Sequence, residues 1–345
     1  MVADSTTAGV TFCVAEKPKL LVLELWGLGD LVIATPFLRA ASEKFAVTLL
    51  AKPYALELRS RLWPEIQVLP FIAPWTAFHS KYHFWRWPWR EIMQLRRRLV
   101  AEKFDYAVSA RWDPRNHFVM KFSGARERLG FPRLKSERLL TRPLNRPGPQ
   151  AHRGELWRTV GHALGLDFKV DQETISPHTS PSPLALVHTG ARLPVRVWPL
   201  ENFHDLANRL RGKNIPVQIV CDPDQLAWWQ RKGEQPVCPR DVTALAALIK
   251  GAGIFIGNDS GPGHLAAVCG LPTFTIFGPQ LFEWFAPLSP SAEALDGKAC
   301  PYKPCSDYCR FARPFCLDDI KVDEVWERVE KFAERYLSPA LPIQA

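Results

Sequence analysis

The chain has 345 residues, of which 47% are hydrophobic, and a formal net charge of +9. This length favours two domains over one. No apolar run approaches the ~20 residues that a helix needs to cross a bilayer, so no membrane-spanning helix is expected. Residues 1–19 lack a basic region followed by an apolar one, so we expect no secretory signal and a cytoplasmic protein.

The positive charge is unevenly distributed. Residues 1–173 carry the whole basic excess, whereas the remainder is close to neutral. The asymmetry indicates an anionic partner for the first half: nucleic acid, a membrane surface or a phosphorylated substrate. Nucleic acid is not favoured, because the basic residues are mixed with acidic ones and no recognition motif is present.

The first recognisable unit begins with a continuous apolar run, Leu20–Leu25. A turn containing Gly27 and Gly29 follows, and an apolar-periodic segment begins after Asp30. With the next apolar run, "AVTLLAK", this pattern predicts a β-α-β unit of a parallel sheet. The dinucleotide fingerprint G-x-G-x-x-G is absent, so neither NAD nor FAD is expected. Asp30 is a candidate general base, a helix cap, or both.

An aromatic and basic segment spans residues 74–100. Aromatic and basic side chains of this kind favour the headgroup level of an anionic bilayer, so we expect the segment to lie on a membrane surface. The alternative is that the tryptophans cover the sheet and the arginines form a solvated helix face. The residues are Trp75, Trp85, Trp87, Trp89, Lys81, Arg86, Arg90, Arg96, Arg97 and Arg98.

A stretch rich in Ser, Thr and Pro, "DQETISPHTSPSP", is the best linker in the chain. It divides the sequence into a domain at 1–175 and a domain at 183–345. After it the strand and helix pattern begins again, which predicts a second Rossmann-like unit. We therefore expect an α/β fold with two parallel sheets that face a cleft at the carboxyl ends of their strands.

The second unit contains a polar turn, "NDSGPGH", between an apolar strand and a short helix. Asp259 and Ser260 are good helix N-cap residues, and Gly261 permits unusual backbone angles. The start of a helix exposes N–H groups and the positive end of its dipole, which together favour phosphate. Capping alone would explain most of these residues. His264 is not needed for capping, and it favours a ligand site.

Four cysteines cluster on one short segment after this unit. In a cytosolic chain a disulfide framework is not expected, and thiols this close can hold a structural zinc ion or simply pack. Their spacing contains no C-x-x-C pair, which weakens the zinc interpretation. The residues are Cys300, Cys305, Cys309 and Cys316.

The last segment, "VDEVWERVEKFAERYL", has an apolar stripe at helical spacing. It predicts an amphipathic closing helix. This helix packs either on the second domain or back on the first.

Three stretches together resemble one known family. "GLGDLVIATPFLRA", "HTGARLPVRVWPLENFHDLANRL" and "ALIKGAGIFIGNDSGPGHLAAVCGLPTFTIFGP" are similar to the bacterial ADP-heptose:lipopolysaccharide heptosyltransferases of glycosyltransferase family 9. The resemblance implies a GT-B fold with the acceptor on the N-terminal domain and the donor on the C-terminal one. It also implies inverting transfer of a sugar from a nucleotide-diphosphate sugar.

The resemblance also implies roles for individual residues. Asp30 matches the catalytic base, and Arg196 stands where the family often has a lysine that stabilises the leaving diphosphate. Arg192 could assist Arg196. A further acidic residue near the nucleoside falls in "CDPDQL", and Asp222, Asp224 and Gln225 all remain open. The implied donor-binding set is Gly29, Arg192, Asp259, Ser260, Gly261 and His264.

The function expected is transfer of a sugar, heptose by resemblance, to a lipopolysaccharide core or related anionic glycolipid. No metal ion is required, because a guanidinium and helix N–H groups can stabilise the leaving group. The enzyme would then lie peripherally on the inner face of the cytoplasmic membrane. The alternative is a non-catalytic nucleotide- or glycan-binding protein that keeps the fold. Asp30 opposite Arg196 argues against it, since a pure binder needs no base.

Overall fold

The computed structural model describes residues 16–77, 83–169, 182–305 and 308–337. Within these ranges the chain forms two parallel β-sheets flanked by helices, which confirms the predicted α/β fold. Most of the predicted linker lies outside the described residues, so the boundaries at 175 and 183 stay a prediction.

The N-terminal unit is built on a six-stranded sheet with the spatial order β3-β2-β1-β4-β5-β6. Its strands are β1 (Lys19–Glu24), β2 (Ala46–Ala51), β3 (Gln67–Pro70), β4 (Tyr106–Ser109), β5 (Glu127–Gly130) and β6 (Arg142–Pro143). Its helices are α1 (Leu28–Ile33), α2 (Thr35–Lys44), α3 (Ala55–Leu62), α4 (Trp89–Glu102), α5 (Pro114–Phe122) and α6 (Arg153–Ala163).

The C-terminal unit is built on a five-stranded sheet with the spatial order β11-β10-β9-β7-β8. Its strands are β7 (Ala185–His188), β8 (Val217–Val220), β9 (Ile254–Asn258), β10 (Thr273–Ile276) and β11 (Ala292–Leu295). Its helices are α7 (Leu200–Gly212), α8 (Leu226–Arg231), α9 (Val242–Gly251), α10 (Gly261–Val268), α11 (Phe282–Phe285), α12 (Phe315–Asp318) and α13 (Val322–Tyr336).

Strand β1 is apolar along nearly its whole length because helices cover both faces of its sheet. Leu20 and Val22 pack in the core that also contains α1, whereas Leu21 and Leu23 pack on the opposite face. Side chains alternate along a strand, so the terminal residue Glu24 belongs to the Leu20 and Val22 face. An acidic side chain therefore ends a buried strand on the side of α1.

The two units meet where α1 and α10 begin. Here backbone approaches so closely that only glycine fits. A Cβ on Gly29 would lie 2.8 Å from the His264 ring, and a Cβ on Gly261 would lie 2.7 Å from the Leu28 Cβ. Leu265 of α10 packs in the same core as α1. The two glycine turns singled out in the sequence thus face each other across the cleft.

Among the described residues, the closing helix α13 packs on the C-terminal unit. Phe332 lies 5.7 Å from the Phe274 ring of β10, centroid to centroid. Val325 and Val329 are fully buried in the core that also contains α7. Of the described helices, not one has both the length and the apolar character needed to cross a bilayer.

Candidate active site

A cleft of about 690 Å³ separates the two units at the carboxyl ends of their strands. This is where ligands bind in open parallel sheets. Every predicted catalytic and donor-binding residue lines it: Gly29, Asp30, Arg192, Arg196, Asp259, Ser260, Gly261 and His264.

Asp30 stands at the N-terminal side of the cleft, in the first turn of α1. One carboxylate oxygen accepts a hydrogen bond from the Gly27 N–H at 3.3 Å, and the other is ion-paired with Arg111. Asp30 therefore caps its helix and still reaches the cleft. Burial alone would raise the pKa of this carboxyl, but the guanidiniums of Arg111 and Arg153 outweigh burial and hold it below its usual value. Asp30 is thus ionised at neutral pH, as a general base must be.

A second carboxyl, Glu24, lies beside this pair and was not singled out in the sequence. It is 3% exposed and accepts the Trp26 N–H at 3.2 Å. Burial raises the pKa of Glu24 to about 7, although Arg111 opposes the shift. At the end of β2, burial lowers the pKa of Lys52 to about 8.

Arg153, at the start of α6, is held between aromatic rings of both units. Its guanidinium carbon lies 4.3 Å from the Trp112 ring centroid and 4.7 Å from that of Trp284. Trp284 also donates a hydrogen bond to the Pro149 carbonyl at 2.8 Å. Burial, with a smaller effect of Arg111, lowers the pKa of Arg153 to about 9. The guanidinium therefore remains charged at neutral pH and ties the two units together beside Asp30.

The polar turn before α10 does not cap the helix with a side chain. Ser260 occupies the N-cap position, yet its hydroxyl caps nothing and finds no partner in the described part of the chain. Asp259 Oδ2 lies 3.5 Å from Arg196 Nη1. Burial raises the pKa of Asp259 to about 6, against the lowering effect of Arg196. Buried polar atoms left without partners favour the ligand-site interpretation over simple capping.

His264 and Arg192 complete the cleft surface. Burial lowers the pKa of His264 to about 4, so this imidazole is neutral at pH 7. Its Nδ1 is buried and meets no hydrogen-bonding group among the described residues. Arg192 reaches the other unit, where it donates to the Thr76 carbonyl at 3.3 Å. The cleft thus presents a neutral imidazole and a cation to any ligand.

The structure separates the three polar residues that follow β8. Asp222 lines the cleft, and its side chain lies so close to Gly190 that a Cβ there would clash at 2.4 Å. Gln225 is buried and turned inward, accepting a hydrogen bond from the Thr189 hydroxyl at 2.9 Å and donating one to its carbonyl at 3.1 Å. Neither Gln225 nor Asp224 is among the cleft residues. Of the three residues, only Asp222 lines the cleft and can contact a ligand there.

The four-cysteine segment lies at the edge of the cleft, where Pro304 forms part of the wall. Cys305 and Cys309 each make a weak contact with a backbone carbonyl, at 3.6 Å in both cases, and Cys316 is buried. Among the described residues, which omit 306–307, no three His, Cys, Asp or Glu side chains are arranged to hold a metal ion. The side chains as placed fit packing, and zinc stays a prediction.

Sequence reasoning missed Glu24, Lys52, Arg111 and Arg153. Three of them had a usable signal, because they lie at or just beyond the carboxyl ends of β1, β2 and β4, where ligands gather in a parallel sheet. Arg153 had none, since α6 reaches the cleft only through the packing of the units.

The chain is similar in sequence to several known proteins. Residues 92–313 match the family model "Glycosyltransferase family 9 (heptosyltransferase)". The chain is 25% identical over 211 residues to lipopolysaccharide heptosyltransferase 1 of Pseudomonas aeruginosa, covering 55% of this chain and 58% of that protein. It is 30% identical over 134 residues to lipooligosaccharide heptosyltransferase 2 of Campylobacter jejuni, covering 39% and 37%. The matched regions thus span less than two thirds of these relatives.

Among solved structures, the fold is similar to that of the E. coli heptosyltransferase WaaC with ADP. The TM-score is 0.70 at 16% identity, and the alignment covers 91% of this chain and 99% of that one. At this identity the comparison shows a shared fold and no more. It confirms the predicted GT-B architecture with two Rossmann-like domains.

Proposed function

The chain belongs to glycosyltransferase family 9, and we propose that it is an inverting heptosyltransferase. The donor would be ADP-heptose, since a heptosyltransferase of similar fold, TibC, has been solved in complex with ADP-D-β-D-heptose. The acceptor would be a lipopolysaccharide core or related anionic glycolipid, since one relative is lipopolysaccharide heptosyltransferase 1. One observation carries the proposal. An ionised Asp30 lies on one side of the cleft, and the ion pair of Arg196 with Asp259, in the turn before α10, lies on the other.

Asp30 would act as the general base. The acceptor hydroxyl oxygen forms a bond to the anomeric carbon while its proton passes to the Asp30 carboxylate. The bond from the anomeric carbon to the diphosphate oxygen breaks on the opposite face, so the configuration inverts. The ion pair with Arg111 fixes the direction of the carboxylate, which saves the entropy of orienting it during reaction.

The leaving diphosphate would be held by Arg196 and the start of α10. Arg196 Nε is buried without a hydrogen-bond partner among the described residues, and so is the Ser260 hydroxyl. The first N–H groups of α10 and its dipole add further positive potential. These groups stabilise the negative charge that develops as the bond to the sugar breaks. Asp222, on the same side of the cleft, would accept hydrogen bonds from the ribose hydroxyls.

The proposed donor is tested by thermal unfolding in the presence of nucleotide sugars. We expect ADP-heptose to raise the melting temperature more than UDP- or GDP-sugars, because a ligand that binds only the folded state stabilises it by mass action. The test is completed by measuring heptose transfer to heptose-deficient lipopolysaccharide and showing that the anomeric configuration of the transferred sugar is inverted. Donor binding without any transfer would instead favour the non-catalytic binding protein.

The same transfer assay run in EDTA tests the absence of a metal requirement. We expect unchanged rates, since Arg196 and the helix N–H groups already supply the positive charge. Full loss of activity that only a divalent ion restores would contradict this part of the proposal.

We also propose that the enzyme works from the cytoplasm, docked on the anionic inner face of the membrane. The described part of the 74–100 segment divides into two sets of aromatics. Trp75 is buried, and Trp87 packs on it with ring centroids 5.6 Å apart, so these two cover the sheet. Phe84 and Trp85 are 60% and 63% exposed. Lys81 lies outside the described residues.

The exposed aromatics stand on a short turn next to the basic helix α4. The turn, Phe84–Arg86, buries none of its side chains, and α4 buries only Ile92, Leu95 and Leu99. The arginines of α4 are exposed, on the helix that follows directly after the turn. Aromatic rings at headgroup depth with arginines at an anionic surface suit a bilayer.

Simultaneous change of Phe84, Trp85 and Arg86 to Ala is expected to weaken sedimentation with phosphatidylglycerol-containing vesicles. The fold should be unaffected because none of the three is buried. Wild-type binding should fall as salt shortens the Debye length from ~10 Å at 0.1 M to ~3 Å at 1 M. Arg240→Ala, which removes one exposed charge from the other unit, is the control. Wild-type protein that stays in the supernatant at low salt would refute membrane docking.

A further inference from the structure

The carboxyl end of β1 contains a buried acid that the transfer scheme above does not use. Glu24 is 3% exposed, although an ionised carboxylate at such a site is costly unless it is paired. Its only hydrogen bond among the described residues is from the Trp26 N–H, at 3.2 Å. A buried acid held by a single hydrogen bond calls for an explanation other than stability.

Glu24 shares its surroundings with the proposed base. Strands β1 and β4 are parallel neighbours, so Arg111, just beyond β4, lies at the same edge of the sheet as Glu24 at the end of β1. Arg111 is ion-paired with Asp30 and also feels the charge of Glu24. The guanidinium stacks over the Trp26 ring at 5.2 Å, and Trp26 is the residue whose N–H binds Glu24. Arg111 therefore pairs directly with Asp30 and acts on Glu24 through its charge.

We propose that Glu24 is a positioning residue for the transfer: it shares Arg111 with Asp30, and its charge sets how strongly Asp30 attracts the acceptor's proton. This role rests on the proposed function. When Glu24 is neutral, Arg111 and Arg153 act on Asp30 alone and make it a weak base. When Glu24 is ionised, it competes for Arg111 and repels the charge on Asp30, which strengthens the base.

Burial, together with the surrounding charges, places the ionisation of Glu24 near neutral pH. The charged and titratable groups around it are Arg111 just beyond β4, Asp30 from α1, Arg153 from α6, and Lys52 and Tyr54 beyond β2. Burial is the largest influence and raises the pKa of Glu24 to about 7, while Arg111 opposes it. The ionised fraction of Glu24 therefore changes within the range in which the enzyme would work.

Glu24→Gln separates this charge from the shape of the side chain. We expect kcat to fall by about two- to tenfold, because general-base rates follow base strength only in part, while KM for the donor is unchanged. Wild-type kcat should rise through an ionisation near pH 7, and this ionisation should disappear in Glu24→Gln. Glu24→Asp keeps a titratable carboxyl and should retain the rise. Any changes in kcat caused by the ionisation of Asp259 near pH 6 or of Lys52 near pH 8 should persist in all three enzymes.

Thermal unfolding measures the ionisation of Glu24 without any substrate. The folded-state pKa lies above the unfolded value, so Glu24 stabilises the wild type fully below about pH 4.5 and loses that contribution as pH rises through about 7. Glu24→Gln has no ionisable group at this position and does not lose stability in this way. The melting temperature of the variant minus that of the wild type should therefore increase between pH 5 and 8.

The outcomes are distinct. A wild-type protein that transfers no sugar would overturn the proposed function, whatever the melting temperatures show. Active wild-type and Glu24→Gln enzymes whose kcat profiles superimpose after normalisation would overturn only the role of Glu24. A lost ionisation near pH 7 with unchanged donor KM would support it, since a merely structural residue would not change the pH profile.

Discussion

Asp30→Asn is expected to lower kcat by roughly 10²–10⁴-fold, the usual size of general-base catalysis. The amide can still accept the Gly27 N–H that caps α1, but it cannot take the acceptor's proton. Donor binding should persist, because Asp30 lies on the opposite wall of the cleft from Arg196 and Asp259. Single-turnover transfer and donor-induced thermal shift, measured on the same protein, separate the two effects.

The matched control for this variant is Asp105→Asn. Asp105 directly precedes β4, at the amino ends of the strands and opposite the cleft, where it pairs with Arg126 at 3.2 Å. It loses the same charge from the same unit without touching the cleft, so kcat should not change. A folded Asp30→Asn enzyme that binds donor and turns over at near the wild-type rate would remove Asp30 from the mechanism.

Arg196→Ala is expected to lower kcat by roughly 10²–10³-fold, comparable with the loss of one oxyanion-stabilising donor. Arg196 is ion-paired with Asp259 of the turn before α10, and its Nε has no protein partner in the described structure. The effect should fall mainly on kcat, because charge on the diphosphate grows as the sugar bond breaks. Arg196→Lys should recover part of the rate, since lysine keeps the charge but loses the planar fork.

The control for this variant is Arg209→Ala. Arg209 lies on α7 of the same unit and pairs on the surface with Asp323 at 2.7 Å, away from the cleft. It should leave both kcat and KM unchanged. If Arg196→Ala kept kcat within about threefold of wild type, the departing diphosphate would have to be stabilised by other groups.

Much of the fold was evident in the sequence. Apolar runs such as Leu20–Leu25, punctuated by glycine turns and helical periodicity, predict parallel strands covered by helices on both sides. Because carboxyl ends of parallel strands meet at one edge, the turns with Asp30 and with Asp259 could be placed at one cleft. The structure brings both turns to that cleft. These inferences succeed because they depend on local periodicity and on a rule that holds for every such sheet.

Other features depend on which side chains tertiary packing brings together. The ion pair between Asp30 and Arg111 joins residues that are far apart in the chain. The choice of Asp222 over Gln225 follows from one side chain that turns outward and another that bonds to Thr189. Composition and spacing do not encode these directions.

The sequence by itself determined the layered α/β architecture, the two glycine turns and the residue types at the cleft. Only the tertiary structure decided which side chains are buried and which charges act on them. Trp75 covers the sheet while Trp85 is exposed, and Glu24 is buried within the influence of the Arg111 charge. The physical reason is that periodicity is a property of the chain, whereas the pKa of a carboxyl depends on burial and on charges brought close by folding.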